Sequence, residues 1–166
     1  FRRAREIAER LEDPERVGQV LYALAYLHEV RGEYPRAQDM VRRRLALCEQ
    51  APDERGRLEA HDLLSCSLLH EGNFREALTS AEQALETLRA ADLECADFNP
   101  HHPGVSARYW AGIASWFLGR SDRGLALVRE ARQRAAEIRH LPTLAFAESR
   151  VARLHHFRRE ADLCAA

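Results

Sequence analysis

Three glycines set the spacing of this chain. Gly32, Gly72 and Gly119 each interrupt a helical pattern, in "EVRGEYPRAQ", "LHEGNFREAL" and "FLGRSDRGLA", at intervals of 40 and then 47 residues. Arg159 holds the equivalent place 40 residues further on, because "AYLHEVRGE" at 25–33 returns as "ARLHHFRRE" at 152–160 with five of nine letters in register. A period of that size with two helices in each unit predicts a stacked helical solenoid, in which every pair buries its apolar face only against its neighbours.

The residues between the glycines agree. Val, Ile and Thr are sparse, Ala, Leu, Arg and Glu abundant, and apolar positions recur at three and four, so the chain reads as all-α. Asp13-Pro14 is an N-cap followed by proline at the first helical position, and Pro52-Asp53 opens another helix. Helices are expected over about 2–12, 14–31, 35–50, 53–71, 74–90, 105–118, 121–138 and 142–158. The longer interval absorbs "ECADFNPHHPGV", whose two prolines and glycine predict a non-helical insertion over 92–104. The expected units run over 14–51, 52–91, 105–140 and 141–166 of a single domain covering 1–166.

"GNFREALTSAEQALETL" resembles the second half of a tetratricopeptide repeat, with Gly72 in the turn, Phe74 two residues later, and Ala77, Ala84 and Leu85 on the packing face. Leu64 and Ser65 fill the matching leucine and small-residue places in the preceding helix. The third unit, with Gly112, Gly119 and Ala131, matches more loosely, and the first departs by placing Arg44 where a small residue is usual. The resemblance implies a right-handed α-α superhelix of about 3.5 to 4 repeats. Residues 98–160, with His101-His102-Pro103-Gly104 near their start, also resemble the repeat region of large bacterial signalling proteins that join a regulatory ATPase to a cyclase, kinase or DNA-binding output domain. The chain opens on Phe1 in "FRRAREIAERL", neither a Met nor a signal peptide, which predicts a segment of a longer protein.

Composition limits the function classes. A net charge of −1 with 31% charged residues gives no bulk attraction to nucleic acid or an anionic membrane, so neither is an expected partner. All 25 basic residues are Arg, and without Lys the segment holds no P-loop lysine, kinase strand lysine or Schiff-base nucleophile. "LLSCSLL" lacks the glycines of a nucleophile elbow, so no catalytic residue is expected. The four Cys form no Cys-x-x-Cys pair and read as reduced and mostly buried, as in a cytoplasmic protein. Cys95, Asp97, His101 and His102 offer ligand types within one loop, but their spacing matches no standard zinc site and no metal or cofactor is expected. His28 and His155 recur at matched places, which favours packed, hydrogen-bonded rings over catalysts.

The tetratricopeptide resemblance implies that the first helix of each unit lines a concave groove. Carried onto this sequence, those places give Gln19, Tyr22, Tyr26, Glu29 and Val30, then Glu59, Asp62, Cys66, Leu69 and His70. The third unit supplies Ser106, Tyr109, Ile113, Trp116 and Phe117, and the fourth Phe146, Ser149, Arg153, His156 and Phe157. Exposed rings in a channel suit capture of a peptide or partner helix, so the expected role is a noncatalytic interaction, sensor or scaffold module. Its partner would be a protein, a peptide or an attached domain of the parent chain. The competing readings are a regulatory spacer or an oligomerising segment, since a solenoid's open ends leave apolar surface, and more remotely a metal-binding or hydrolytic site in the 95–104 loop.

Overall fold

The computed structural model describes Arg3, residues 13–93 and residues 100–164. The helices are α1 (Pro14–Val30), α2 (Tyr34–Gln50), α3 (Glu54–His70), α4 (Phe74–Ala90), α5 (Pro103–Phe117), α6 (Ser121–Ile138), α7 (Leu141–Phe157) and the single-turn α8 (Ala161–Cys164). The helix expected over 2–12 falls outside the described residues apart from Arg3, as do residues 94–99 of the insertion. No described helix is long and apolar enough to cross a membrane.

Local chemistry explains the helix starts. The Asp13 and Asp53 carboxylates accept from the Arg16 and Gly56 amides, satisfying donors that have no partner within the first turn. The insertion corrects one expectation, because α5 begins at Pro103 rather than 105. Proline's missing N–H costs nothing at the first helical position, and the His102 ring nitrogen Nδ1 accepts from the Gly104 amide as the cap.

The ends repeat one motif. Gly32, Gly72 and Gly119 have φ of +72°, +83° and +79°, and Asp92 and Arg159 adopt the same left-handed conformation at +52° and +59°. In every case the next amide donates back five residues, as from Glu33 to the His28 carbonyl (2.9 Å) and from Glu160 to the His155 carbonyl (3.0 Å). The repeated phrase thereby acquires a physical meaning. His28 Nδ1 meets Glu33 2.6 Å away, and His155 Nδ1 meets Glu160 2.7 Å away, so one imidazole–carboxylate pair ties the turn shut in both copies. Arg159 takes the turn conformation without glycine's freedom. Arg159→Gly is therefore expected to stabilise the fold by about 1 kcal/mol, the cost of holding a side chain in that region, read as a raised midpoint in urea denaturation; a lowered midpoint would refute the assignment.

Consecutive helices pack against one another, and α1 also touches α3, α3 touches α5, and α5 touches α7, whereas α2, α4 and α6 make no such skip contacts. The odd-numbered helices thus form an inner row and the even-numbered ones an outer row. Val41, Leu64, Leu68, Ala77, Trp110 and Ile113 belong to the central apolar cluster, with Leu58, Leu88 and Ala107 in a second cluster and Val105, Ala131 and Ala147 in a third. Glycines set the crossing of α5 and α6. A Cβ on Gly124 would lie 2.7 Å from the Gly112 carbonyl oxygen and one on Gly112 2.7 Å from Val128 Cγ2, so this approach requires glycine on both helices.

Candidate functional site

The inner row encloses a cavity of about 230 Å³ to which all four odd-numbered helices contribute. From α1 come Tyr22, Tyr26, Glu29 and Val30, and from α3 Glu59, Asp62, Leu63, Cys66 and His70. Pro103 and Trp110 of α5, Phe146 and Arg150 of α7, and the preceding Pro100 and His101 close it. A neighbouring cavity of about 310 Å³ continues along the row, lined by Leu69, His70, Phe74, Ile113, Phe117, Arg153 and Phe157 among others. His70 lines both and sits where they meet.

The first cavity has an aromatic wall and a partnered acidic wall. Phe146 stacks on His101 with centroids 4.3 Å apart, and Trp110 meets Phe146 edge-on at 6.2 Å. The Arg150 guanidinium lies over Phe146, Trp110 and Tyr109 at 4.9, 5.5 and 5.6 Å, and it has no carboxylate within ion-pair distance among the described residues. Opposite, Glu59 reaches Arg44 at 2.9 Å and Arg55 at 3.4 Å, while Glu29 accepts from His70 and from Ser67.

Burial sets the protonation of this site. Asp62 is 6% exposed. Desolvation pushes its carboxyl up to about 8 despite hydrogen bonds from Ser106 (2.8 Å) and the Trp110 indole, which oppose the shift. Burial and the Arg150 charge hold His101 down at about 4, so that ring is neutral near pH 7. Burial and the neighbouring Glu29 carboxylate raise the Cys66 thiol well above its ordinary value, the opposite of an activated nucleophile. Tyr22 is likewise raised, by burial and then by Asp62 and Glu59.

The structure sorts the groove residues read from the sequence. Tyr22, Tyr26, Glu29, Asp62 and His70 meet in the first cavity, and Ile113, Arg153 and again His70 in the second. Trp116 and His156 line neither cavity: Trp116 packs at the Gly124 crossing under the Arg158 guanidinium (5.6 Å), and His156 is exposed beside Phe157. Tyr109 and Ile113 are each 1% exposed, which corrects their reading as open contact surface. The reason lies in α5, where every residue from Pro103 to Ser115 except Arg108 is buried, so periodicity cannot separate a groove face from a core face.

Trp110, on the same helix, escapes a reading by periodicity for that reason. Arg150 stands one turn beyond Phe146 on α7, and that spacing is the sequence signal for it. Of the loop ligands considered for a metal, Cys95 and Asp97 lie outside the described residues. His101 stacks in the cavity and His102 caps α5, so the two rings serve different places.

No family model matches the chain, and no curated protein does. Solved structures do. BtubC (BKLC) from P. vanneervenii superposes with a TM-score of 0.75 at 20% identity, over 98% of this chain and 65% of that one, so the chain spans just under two thirds of that protein's length. A TPR-like protein from Chlorobium tepidum superposes with a TM-score of 0.64 at 22% identity, over 82% of this chain and 93% of that one. With these neighbours and no strand among the described residues, the fold is an all-α, TPR-like superhelix of helical hairpins.

Proposed function

We propose that the chain is a noncatalytic protein-interaction module, one solenoid whose units follow the spacing of its turns, and that its concave row captures a peptide or partner segment. The observation that carries this reading is where exposed apolar side chains collect. Five large hydrophobic residues are exposed among those described, and three of them, Tyr26 (43%), Val30 (71%) and Phe117 (46%), stand at the two inner cavities.

The chemistry of the walls supports one kind of partner. The acidic side chains are already paired or uncharged, whereas Arg150 is held on an aromatic wall without a carboxylate among the described residues. An apolar segment carrying a carboxylate would fill the cavity and pair with Arg150. In keeping with the resemblance of residues 98–160, the module would serve a larger bacterial signalling protein in the cytoplasm.

Capture from a lysate of the source cell tests the reading. Tyr26→Ala combined with Val30→Ser removes exposed groove surface and is expected to leave folding within about 0.5 kcal/mol of the parent. A partner retained by the parent chain and lost by this variant is the expected result. Equal retention by both would move binding to another face.

A further inference from the structure

We propose that Glu29, Cys66 and His70 form a zinc-binding site where the two inner cavities meet. Their ligand atoms, Glu29 Oε1, Cys66 Sγ and His70 Nδ1, all lie within 4.8 Å of one another. The separations are 2.8 Å from nitrogen to oxygen, 3.4 Å from sulfur to oxygen and 3.7 Å from sulfur to nitrogen. A tetrahedral zinc ion with sulfur at about 2.3 Å and nitrogen or oxygen at about 2.0–2.2 Å sets its donor atoms about 3.3–3.6 Å apart. Only the His70–Glu29 edge must open, by about half an ångström, to admit the ion.

The elements that hold the donors suit the task. Cys66 and His70 are four residues apart on α3, a spacing that brings two ligands to one helix face, as in paired-histidine zinc sites. Glu29 comes from α1, and its side chain is only 8% exposed. Ser67 donates to its second oxygen at 2.5 Å, leaving the first to face the ion. The His70 ring stacks on Tyr34 with centroids 5.4 Å apart and takes the edge of Trp110 at 6.0 Å, which fixes its plane. Orientation of this kind is what outer partners supply in established zinc sites.

The charges also balance. A thiolate and a carboxylate together neutralise a divalent cation, so the thiolate formed on binding would not stand as an uncompensated charge beside Glu29. Binding exchanges the Cys66 thiol proton, released to solvent, for a sulfur–zinc bond. His70 keeps one proton, carried on Nε2 once Nδ1 bonds the metal. Three protein ligands leave the fourth position to water from the cavity. The soft sulfur and the imidazole favour zinc over magnesium or calcium.

The site needs no partner, so it stands or falls apart from groove capture. The test is titration of the full 166-residue chain, purified without a histidine tag and stripped with chelator, first with Co(II) as spectroscopic probe and then with Zn(II) in competition. One equivalent of Co(II) bound, with a thiolate-to-cobalt charge-transfer band that Zn(II) erases, is the expected result. Cys66→Ser should abolish the band, His70→Ala should weaken binding more than tenfold, and Ser67→Ala should weaken it about tenfold through Glu29. His70 is exposed enough for its replacement to spare the fold, which keeps the test decisive if the Cys66 variant unfolds. Absence of stoichiometric binding by the parent chain, or binding unchanged by His70→Ala, would overturn the assignment.

Discussion

Glu59→Ala is expected to destabilise the fold by about 3 kcal/mol, the cost of leaving a buried charge without its partner. The charge is Arg44 on α2, 3% exposed, whose Nη2 lies 2.9 Å from Glu59 Oε2 and whose guanidinium lies 4.6 Å from the centre of the Tyr22 ring. The Tyr22 ring contact, worth on the order of 1 kcal/mol, cannot replace a carboxylate. The second ion pair of Glu59, to the half-exposed Arg55, contributes little beside it. Adding Arg44→Met removes the stranded charge, so the double variant should recover most of the loss. Urea denaturation of the two single variants and the double measures this coupling. A single-variant loss below about 1 kcal/mol, or a double variant as unstable as Glu59→Ala, would show that the pair does not hold the α1–α2–α3 packing.

Asp62→Asn should change how stability depends on pH. The carboxyl titrates near 4 when unfolded and at about 8 when folded, where burial outweighs its hydrogen bonds. Between those values the folded chain holds one proton more than the unfolded chain. Stability therefore falls as pH rises through the window, by up to about 1.4 kcal/mol per pH unit. Half-buried His61 and His101, both held down at about 4, act in the opposite sense below about 6.5, their unfolded value. They contribute alike to parent and variant, so the difference between the two chains isolates Asp62. The variant should gain on the parent steadily from pH 5 to pH 8 and hold that gain above it. Parallel stability curves from pH 5 to pH 9 would mean that Asp62 is ionised throughout and that the floor of the cavity carries a charge.

The sequence discloses local features well because their causes are local. Caps at Asp13 and Asp53 and turns at Gly32, Gly72 and Gly119 depend on a few adjacent residues, and the helices follow within about two residues. The recurrence of His28 with Glu33 and of His155 with Glu160 likewise lies within a six-residue stretch. The departure at Arg44 is legible only as an anomaly, since its partner Glu59 and its ring Tyr22 come from two other helices. Trp110 was hidden by a helix buried on nearly every side, and Arg150 by a crossing that turns it over three rings. Glu29, Cys66 and His70 each fall at groove places in the sequence, but their convergence depends on how α1 packs against α3.

The central claim, that the inner row of helices is the binding surface, is tested most directly by site-specific photo-crosslinking in the source cell. One chain carries the crosslinker at Tyr26 beside the first cavity, and a second carries it at Arg43 on the exposed side of α2. The account predicts a discrete protein adduct from position 26, lost on Val30→Ser, and none from position 43. An adduct from position 43 with none from position 26 would contradict it and place the interaction on the outer row.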